Sequence, residues 1–208
     1  MTISDEIQAF ILVGGASSRM GTDKSTLLLG DLTFVDRVFE ALDSIVSKTT
    51  LITSNARTIK GNKSVESDVF EGWGALGGLH AALNTCESPW AFVVACDLPL
   101  VTSALFERLA GFRFESDAVA PIQSDGTIQP LCALYRIDPC LDCATKLILS
   151  GERRPRALLG SVKSRYVEFH ELEDLAGSGR FFANINTPAD FEEIRRELKG
   201  DMRETIGT

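Results

Sequence analysis

Ile11-Leu12-Val13-Gly14-Gly15-Ala16-Ser17-Ser18-Arg19-Met20-Gly21-Thr22-Asp23-Lys24-Ser25 turns a short apolar run into a glycine loop, then sets an arginine and a lysine beyond it. Ala9 to Val13 suits a strand buried on both faces of a parallel sheet, where continuous apolar character replaces alternation. Gly14 and Gly15 let the backbone turn sharply and bring its N–H groups close to a ligand with no Cβ in the way. Arg19 can fork onto phosphate oxygens, and Lys24 adds a compact point charge. The stretch is read as a cradle for a nucleotide polyphosphate.

Two better-known loops do not fit. A Walker A loop needs a glycine directly before the lysine, and Asp23 stands there instead. The G-x-G-x-x-G fingerprint fails because Gly14 and Gly15 are adjacent and the next glycine is Gly21.

The pattern L-x-G-G-x-S-x-R-M-G-x-D-K, spanning Leu12 to Lys24, resembles the signature of nucleotidyltransferases with a modified dinucleotide-binding fold, and within them the molybdenum cofactor guanylyltransferases. Val13 stands where that family usually has alanine. The resemblance implies that Leu12, Val13, Gly14, Gly15 and Lys24 bind the nucleotide, and that Arg19 and Lys24 act in catalysis.

Composition sets the outer bounds. A chain of 208 residues with 44% hydrophobic content can bury one sizeable core, so residues 1–200 are expected to form a single domain, with 201–208 a polar tail. Twenty-one Lys and Arg against 29 Asp and Glu leave a net charge of −8, which argues against a general nucleic-acid or membrane-surface binder. An anionic substrate then needs a local basic cluster. The acidic start lacks a signal-peptide layout and no apolar run approaches a membrane span, so a cytoplasmic protein is expected. Five cysteines, an odd number, read as reduced thiols; Cys140-x-x-Cys143 lacks the further ligands that zinc requires.

Thr33 can cap a helix whose stripe runs from Phe34 to Val46, and Thr49 to Thr53 reads as the second strand. Asn55, just past that strand, either meets a bound ligand or serves as a turn asparagine; the resemblance favours contact with the nucleotide. Asp68 to Gly78 forms a second glycine-rich segment, expected as a flexible loop leading into a helix over Leu79 to Leu83. It resembles a G-P-L-x-G-[LM] loop that holds the guanine base, with Ala75 in place of the proline. That resemblance assigns Asp68, Gly77 and Gly78 to nucleotide binding.

Trp90 to Ala95 is the next buried strand and runs into Cys96-Asp97-Leu98-Pro99, with Thr102 or Ser103 able to cap the following helix. A carboxylate at the end of a central parallel strand points into the ligand crevice and can hold Mg²⁺, which prefers oxygen donors shared with phosphates. The competing reading makes Asp97 a helix cap ahead of Pro99. C-D-x-P resembles the family's metal-binding segment, which favours Asp97 as catalytic metal ligand.

Asp117 to Pro121 reads as a strand, joined through a Ser124-Asp125-Gly126-Thr127 turn to Ile128 to Tyr135, and Asp138 to Ser150 as a helix begun by Asp138-Pro139. Arg153, Arg154 and Arg156 crowd into four positions of an acidic chain, either as a solvated face or as a patch for a phosphate-bearing second substrate. Family sequences carry arginines here, which assigns Arg154 and Arg156 to that substrate. Val162 to Phe169 alternates as a strand. Thr187 and Pro188 start a last helix, and the family's N-[IV]-N-T-P motif at Asn184 to Pro188 puts Asn184 and Asn186 beside the active site.

The alternation of strands and helices implies a three-layer α/β fold with a mostly parallel sheet and an antiparallel excursion near Asp125-Gly126, of the nucleotide-diphospho-sugar transferase type. The resemblance covers Phe10 to Glu193. It implies transfer of GMP from GTP to the terminal phosphate of molybdopterin in its molybdenum-bound form, with Mg²⁺ as cofactor, pyrophosphate as product and transient contacts with other enzymes of cofactor assembly. The alternative is a related nucleotidyltransferase that uses CTP on molybdopterin or acts on a sugar or alditol phosphate. Gly14-Gly15 and Cys96-Asp97 favour guanine, because the cytidylyl relatives resemble A-A-G and Gly-Asp at these places.

Overall fold

A computed structural model of the chain describes residues 3–14, 27–53, 64–67, 72–183, 185 and 189–196. After a single helical turn, α1 (Ile3–Glu6), the chain enters β1 (Ile7–Leu12). Alternate β1 residues face opposite layers: Ile7, Ala9 and Ile11 join one core, and Phe10 and Leu12 the other. All six positions are buried. The one polar residue among them, Gln8, is accommodated because its side-chain oxygen accepts the Glu87 amide at 2.9 Å.

A two-stranded ribbon of β2 (Leu28–Leu29) and β3 (Leu32–Thr33) leads into α2 (Phe34–Asp43). Thr33 closes a capping box with Asp36, the Asp36 amide donating to Thr33 Oγ1 at 3.1 Å and the Thr33 amide to Asp36 Oδ2 at 3.3 Å. The helix ends at Asp43, a turn short of the stripe expected to reach Val46.

The remaining elements are β4 (Thr49–Thr53), β5 (Ser64–Ser67), α3 (Gly74–Thr85), β6 (Trp90–Ala95), α4 (Ser103–Gly111), β7 (Ala118–Pro121), β8 (Cys132–Arg136), α5 (Ile137–Leu149), α6 (Pro155–Ser161) and β9 (Ser164–Val167). Residues 189–196 are helical. Three expectations need correction. The glycine-rich segment is already helical from Gly74, so Gly77 and Gly78 lie within α3 rather than in a loop. The α5 helix starts at Ile137, which puts Asp138 and Pro139 inside its first turn and leaves Arg136 at the cap. The strand after Pro121 begins only at Cys132, with Ile122 and Ile128 forming an isolated bridge across the turn.

Seven strands form one sheet in the order β5-β4-β1-β6-β8-β7-β9. Only β8 runs against the others, pairing antiparallel with both β6 and β7. One face is covered by α2 and α4 over Val38, Leu42, Phe92, Phe106 and Leu134; the other, by α3, α5 and α6 over Phe10, Leu79, Val93, Tyr135 and Leu158. Burying each of these large side chains contributes roughly 1.5–3 kcal/mol before conformational entropy is set against it. This is the three-layer, mostly parallel α/β fold expected from the sequence. No helix among the described residues is long and apolar enough to cross a membrane.

Candidate nucleotide-binding and active site

From β1 the chain steps outward to β4 on one side, while on the other side β6 begins the outward series, so strand order reverses between β1 and β6. In an open α/β sheet the ligand crevice opens at the carboxyl ends of the strands flanking such a point. Leu12 pairs with Ala95 in register, and the Cys96 amide extends the ladder by donating to the Leu12 carbonyl at 3.1 Å. On the other flank the Val13 amide donates to Ile52 at 2.8 Å. Gly14 and Asp97 therefore leave the sheet side by side.

Gly14 is exposed and has φ of 126°, a conformation that L side chains rarely adopt. A Cβ there would meet nothing closer than Thr53 Oγ1 at 3.9 Å, so backbone conformation rather than space calls for glycine. Leu12 and Val13 are buried beneath it.

Asp97 is half-buried in the turn after β6. It does not cap α4: Thr102 does, accepting the Leu105 amide at 3.4 Å. The capping role read as an alternative for Asp97 therefore belongs to Thr102. Among the described residues no three or more His, Cys, Asp or Glu side chains gather into a metal cage. A hard carboxylate such as that of Asp97 suits Mg²⁺, which takes most of its ligands from water and substrate phosphates.

The first turn of α3 reaches the same edge. A Cβ on Gly78 would sit 3.4 Å from Leu12 Cδ1, so this glycine lets the helix pack closely on the end of β1. Trp73 at the N-cap provides no side-chain acceptor, which leaves the first α3 amides without that partner. Beyond β6, the Ala95 amide donates to the Leu131 carbonyl at 2.8 Å, and the buried Tyr135 hydroxyl donates to Pro130 at 2.7 Å. The Gln129 to Leu131 segment is thereby fixed beside the crevice.

Because β8 is reversed, α5 runs toward the carboxyl edge of the sheet and α6 begins there, which brings the arginine run to the edge where α3 starts. Arg154 is held by Glu152 through two bonds, Nε to Oε1 at 2.9 Å and Nη2 to Oε2 at 2.8 Å. These bonds, with the Arg154 and Arg153 amides donating to Oε1, push the Glu152 carboxyl down to about 2. Arg156 is exposed on the first turn of α6. Arg153, the remaining arginine of the run, instead reaches α3: its Nη1 donates to the Gly72 carbonyl at 2.9 Å and its guanidinium lies 5.0 Å from the Trp73 ring centre. The signal for it was present, since it belongs to the same run, but its partner lies 81 residues away.

Gly15, Arg19, Lys24, Asn55, Asp68, Asn184 and Asn186 lie outside the described residues, as does the tail 201–208. The cysteines are all free thiols. Cys140 is buried against the sheet with its thiol donating to Asp117 at 3.2 Å, and burial pushes it up to about 12, so it serves packing. His80, buried, bonds Thr145 Oγ1 at 3.1 Å between α3 and α5.

Residues 9–167 match the family described as the MobA-like NTP transferase domain. The chain is 31% identical over 186 residues to a probable molybdenum cofactor guanylyltransferase of Carboxydothermus hydrogenoformans, covering 88% of this chain and 92% of that one. It is 32% identical over 203 residues to a molybdenum cofactor guanylyltransferase of Sinorhizobium fredii, covering 94% and 93%. Among solved structures, the molybdopterin-guanine dinucleotide biosynthesis protein A of Archaeoglobus fulgidus superposes with a TM-score of 0.79 at 24% identity, over 93% of this chain and 99% of that one. The 2-C-methyl-D-erythritol 4-phosphate cytidylyltransferase of Thermus thermophilus gives 0.66 at 13% identity, over 91% and 98%, a likeness of fold alone.

Proposed function

Since the chain belongs to the MobA-like NTP transferase family and is a nucleotidyltransferase, we propose that it transfers GMP from GTP to the terminal phosphate of molybdenum-bound molybdopterin, releasing pyrophosphate. The observation that carries this reading is the placement of Gly14 and Asp97 on adjacent strand ends at the point where strand order reverses. The choice of guanine and of molybdopterin is supported by the names of the relatives at 31% and 32% identity.

The acceptor phosphate is already a nucleophile, so no strong general base is needed; alignment and charge neutralisation are the protein's tasks. Gly14 lets backbone amides approach the nucleotide, and the first turn of α3, with Gly77 and Gly78, borders the base. Asp97 is the residue that would hold Mg²⁺, which supplies charge stabilisation at the α-phosphoryl group when bound. Arg19 and Lys24 are assigned to the leaving pyrophosphate, Asn55 and Asp68 to the nucleoside, and Arg154, Arg156, Asn184 and Asn186 to the acceptor. The bond between the α-phosphorus and its bridging oxygen breaks as the acceptor oxygen bonds to the same phosphorus, and the electron pair leaves with pyrophosphate.

Calorimetric binding of GTP, CTP and ATP, each with and without Mg²⁺, tests the reading, followed by pyrophosphate release with molybdopterin. Magnesium-dependent preference for GTP is expected. Preference for CTP would overturn the guanylyl assignment.

A further inference from the structure

Glu152 organises the arginine run as one unit, taking both backbone amides and the Arg154 fork, and Arg153 alone leaves that unit to cross to α3. Its target is the turn that leads into α3, where Trp73 packs against the core under that helix. Gly72 is exposed with φ of 81°, Gly74 has φ of 63°, and Trp73 between them is only half-buried. The Arg153 guanidinium both donates to the Gly72 carbonyl and lies within cation–π range of the Trp73 ring.

We propose that Arg153 is a positioning residue for the nucleotide: it straps the Gly72-Trp73 turn from outside and so fixes the first turn of α3 against the crevice. This rests on the nucleotidyltransferase reading above, in which that turn borders the base. Arg153 itself touches no substrate. A guanidinium serves here because it can donate to the carbonyl through one nitrogen while the group as a whole sits over the indole. Fixing the turn before GTP arrives removes an ordering cost from binding.

The test compares the full chain with its Arg153→Met and Arg153→Lys variants. Arg153→Met is expected to weaken GTP binding about tenfold by calorimetry and to raise KM for GTP by a similar factor, with kcat changed by no more than about twofold. Arg153→Lys restores part of the affinity. Thermal unfolding stays within about 2 °C of the parent, as for other surface substitutions. In a Trp90→Phe background Trp73 is the remaining tryptophan, and its emission in the nucleotide-free protein shifts when Arg153 is replaced. Unchanged emission removes the strap whatever the ligand. Unchanged GTP affinity in a variant with shifted emission overturns the positioning role, as does a fall in affinity matched by a large loss of thermal stability in both variants. If the parent protein binds no GTP, the nucleotide reading fails first and this one with it.

Discussion

The Cys96 amide donates to the Leu12 carbonyl at 3.1 Å, one residue beyond the last paired positions of β1 and β6. This bond holds the two strand ends level as they leave the sheet, so the turn at Gly14 and the carboxylate at Asp97 emerge from a common, rigid base. Sites built on strand ends hold geometry better than sites on loops alone.

Gly14→Ala tests the conformational half of that arrangement. Space is available, with Thr53 Oγ1 at 3.9 Å, but φ of 126° is not open to alanine without strain. A loss of about 1–3 kcal/mol is expected, seen as a drop in thermal midpoint of roughly 3–10 °C. GTP binding falls with it. A variant as stable as the parent, binding GTP equally well, would show that the turn does not require glycine.

Asp97→Asn keeps the size of the side chain and removes its charge. Helix α4 keeps its Thr102 cap, while kcat for pyrophosphate release drops at least about a hundredfold in the folded variant. Chelation of divalent metal should abolish turnover in the parent. Full magnesium-dependent turnover by a folded Asp97→Asn protein would exclude Asp97 as the metal ligand.

Thr33→Ala separates stability from function. It removes the hydroxyl that accepts the Asp36 amide and one side of the capping box, at a cost of about 1 kcal/mol and a fall of about 2–4 °C in thermal midpoint. GTP affinity should be unchanged. Asp36→Ala should cost a similar amount, and the double variant less than the sum, because both act through one box.

Glu152 should titrate far below an ordinary carboxyl. Its folded value of about 2, against 4.5 for the free group, reflects the Arg154 fork first and the Arg154 and Arg153 amides next. A depressed carboxylate contributes its bonds fully above 4.5, and they are lost as pH falls through about 2. Arg154 is exposed to solvent, so the pair adds little to global stability at neutral pH. Carbon-13 titration of the Glu152 carboxyl reads this directly. Arg154→Met should raise the midpoint but leave it below 4.5, because the backbone amides still donate. An unchanged midpoint would show that Arg154 does not hold this carboxylate in solution.

The two strands that flank β1 were legible end to end, whereas β1 itself runs Ile7–Leu12 and not Ala9 to Val13. Thr49–Thr53 and Trp90–Ala95 are bounded in the structure as the residues suggested, because continuous burial leaves an uninterrupted apolar or β-branched run. Thr33 and Thr102 were legible as caps for a local reason, a hydroxyl just ahead of an apolar stripe. What escaped depends on distant packing. Glycines at 74, 77 and 78 argue for a loop by propensity, yet Leu76, Leu79 and Leu83 bury so completely that the helix extends back over them. The β5 strand, Ser64–Ser67, is a sheet edge with a single apolar residue. The α6 helix hid behind its charges, although Pro155 opens it and Leu158 and Leu159 bury it. The position of Gly14 and Asp97 just past strand ends was legible, whereas Arg153 could not be told from its neighbours until its contact with Gly72 was seen.

Because β8 is inserted between β6 and β7, the outer edge of β6 has no strand partner until residues 132–136 have been synthesised. The β5-β4-β1-β6 half can assemble once residues 7–95 have been synthesised, and it then waits with the edge of its most apolar strand exposed. Unpaired edges of that kind invite association with other chains during synthesis. Variants that slow the placement of β8 should therefore betray themselves as poor soluble yield from cells rather than as weaker catalysis in the molecules that mature.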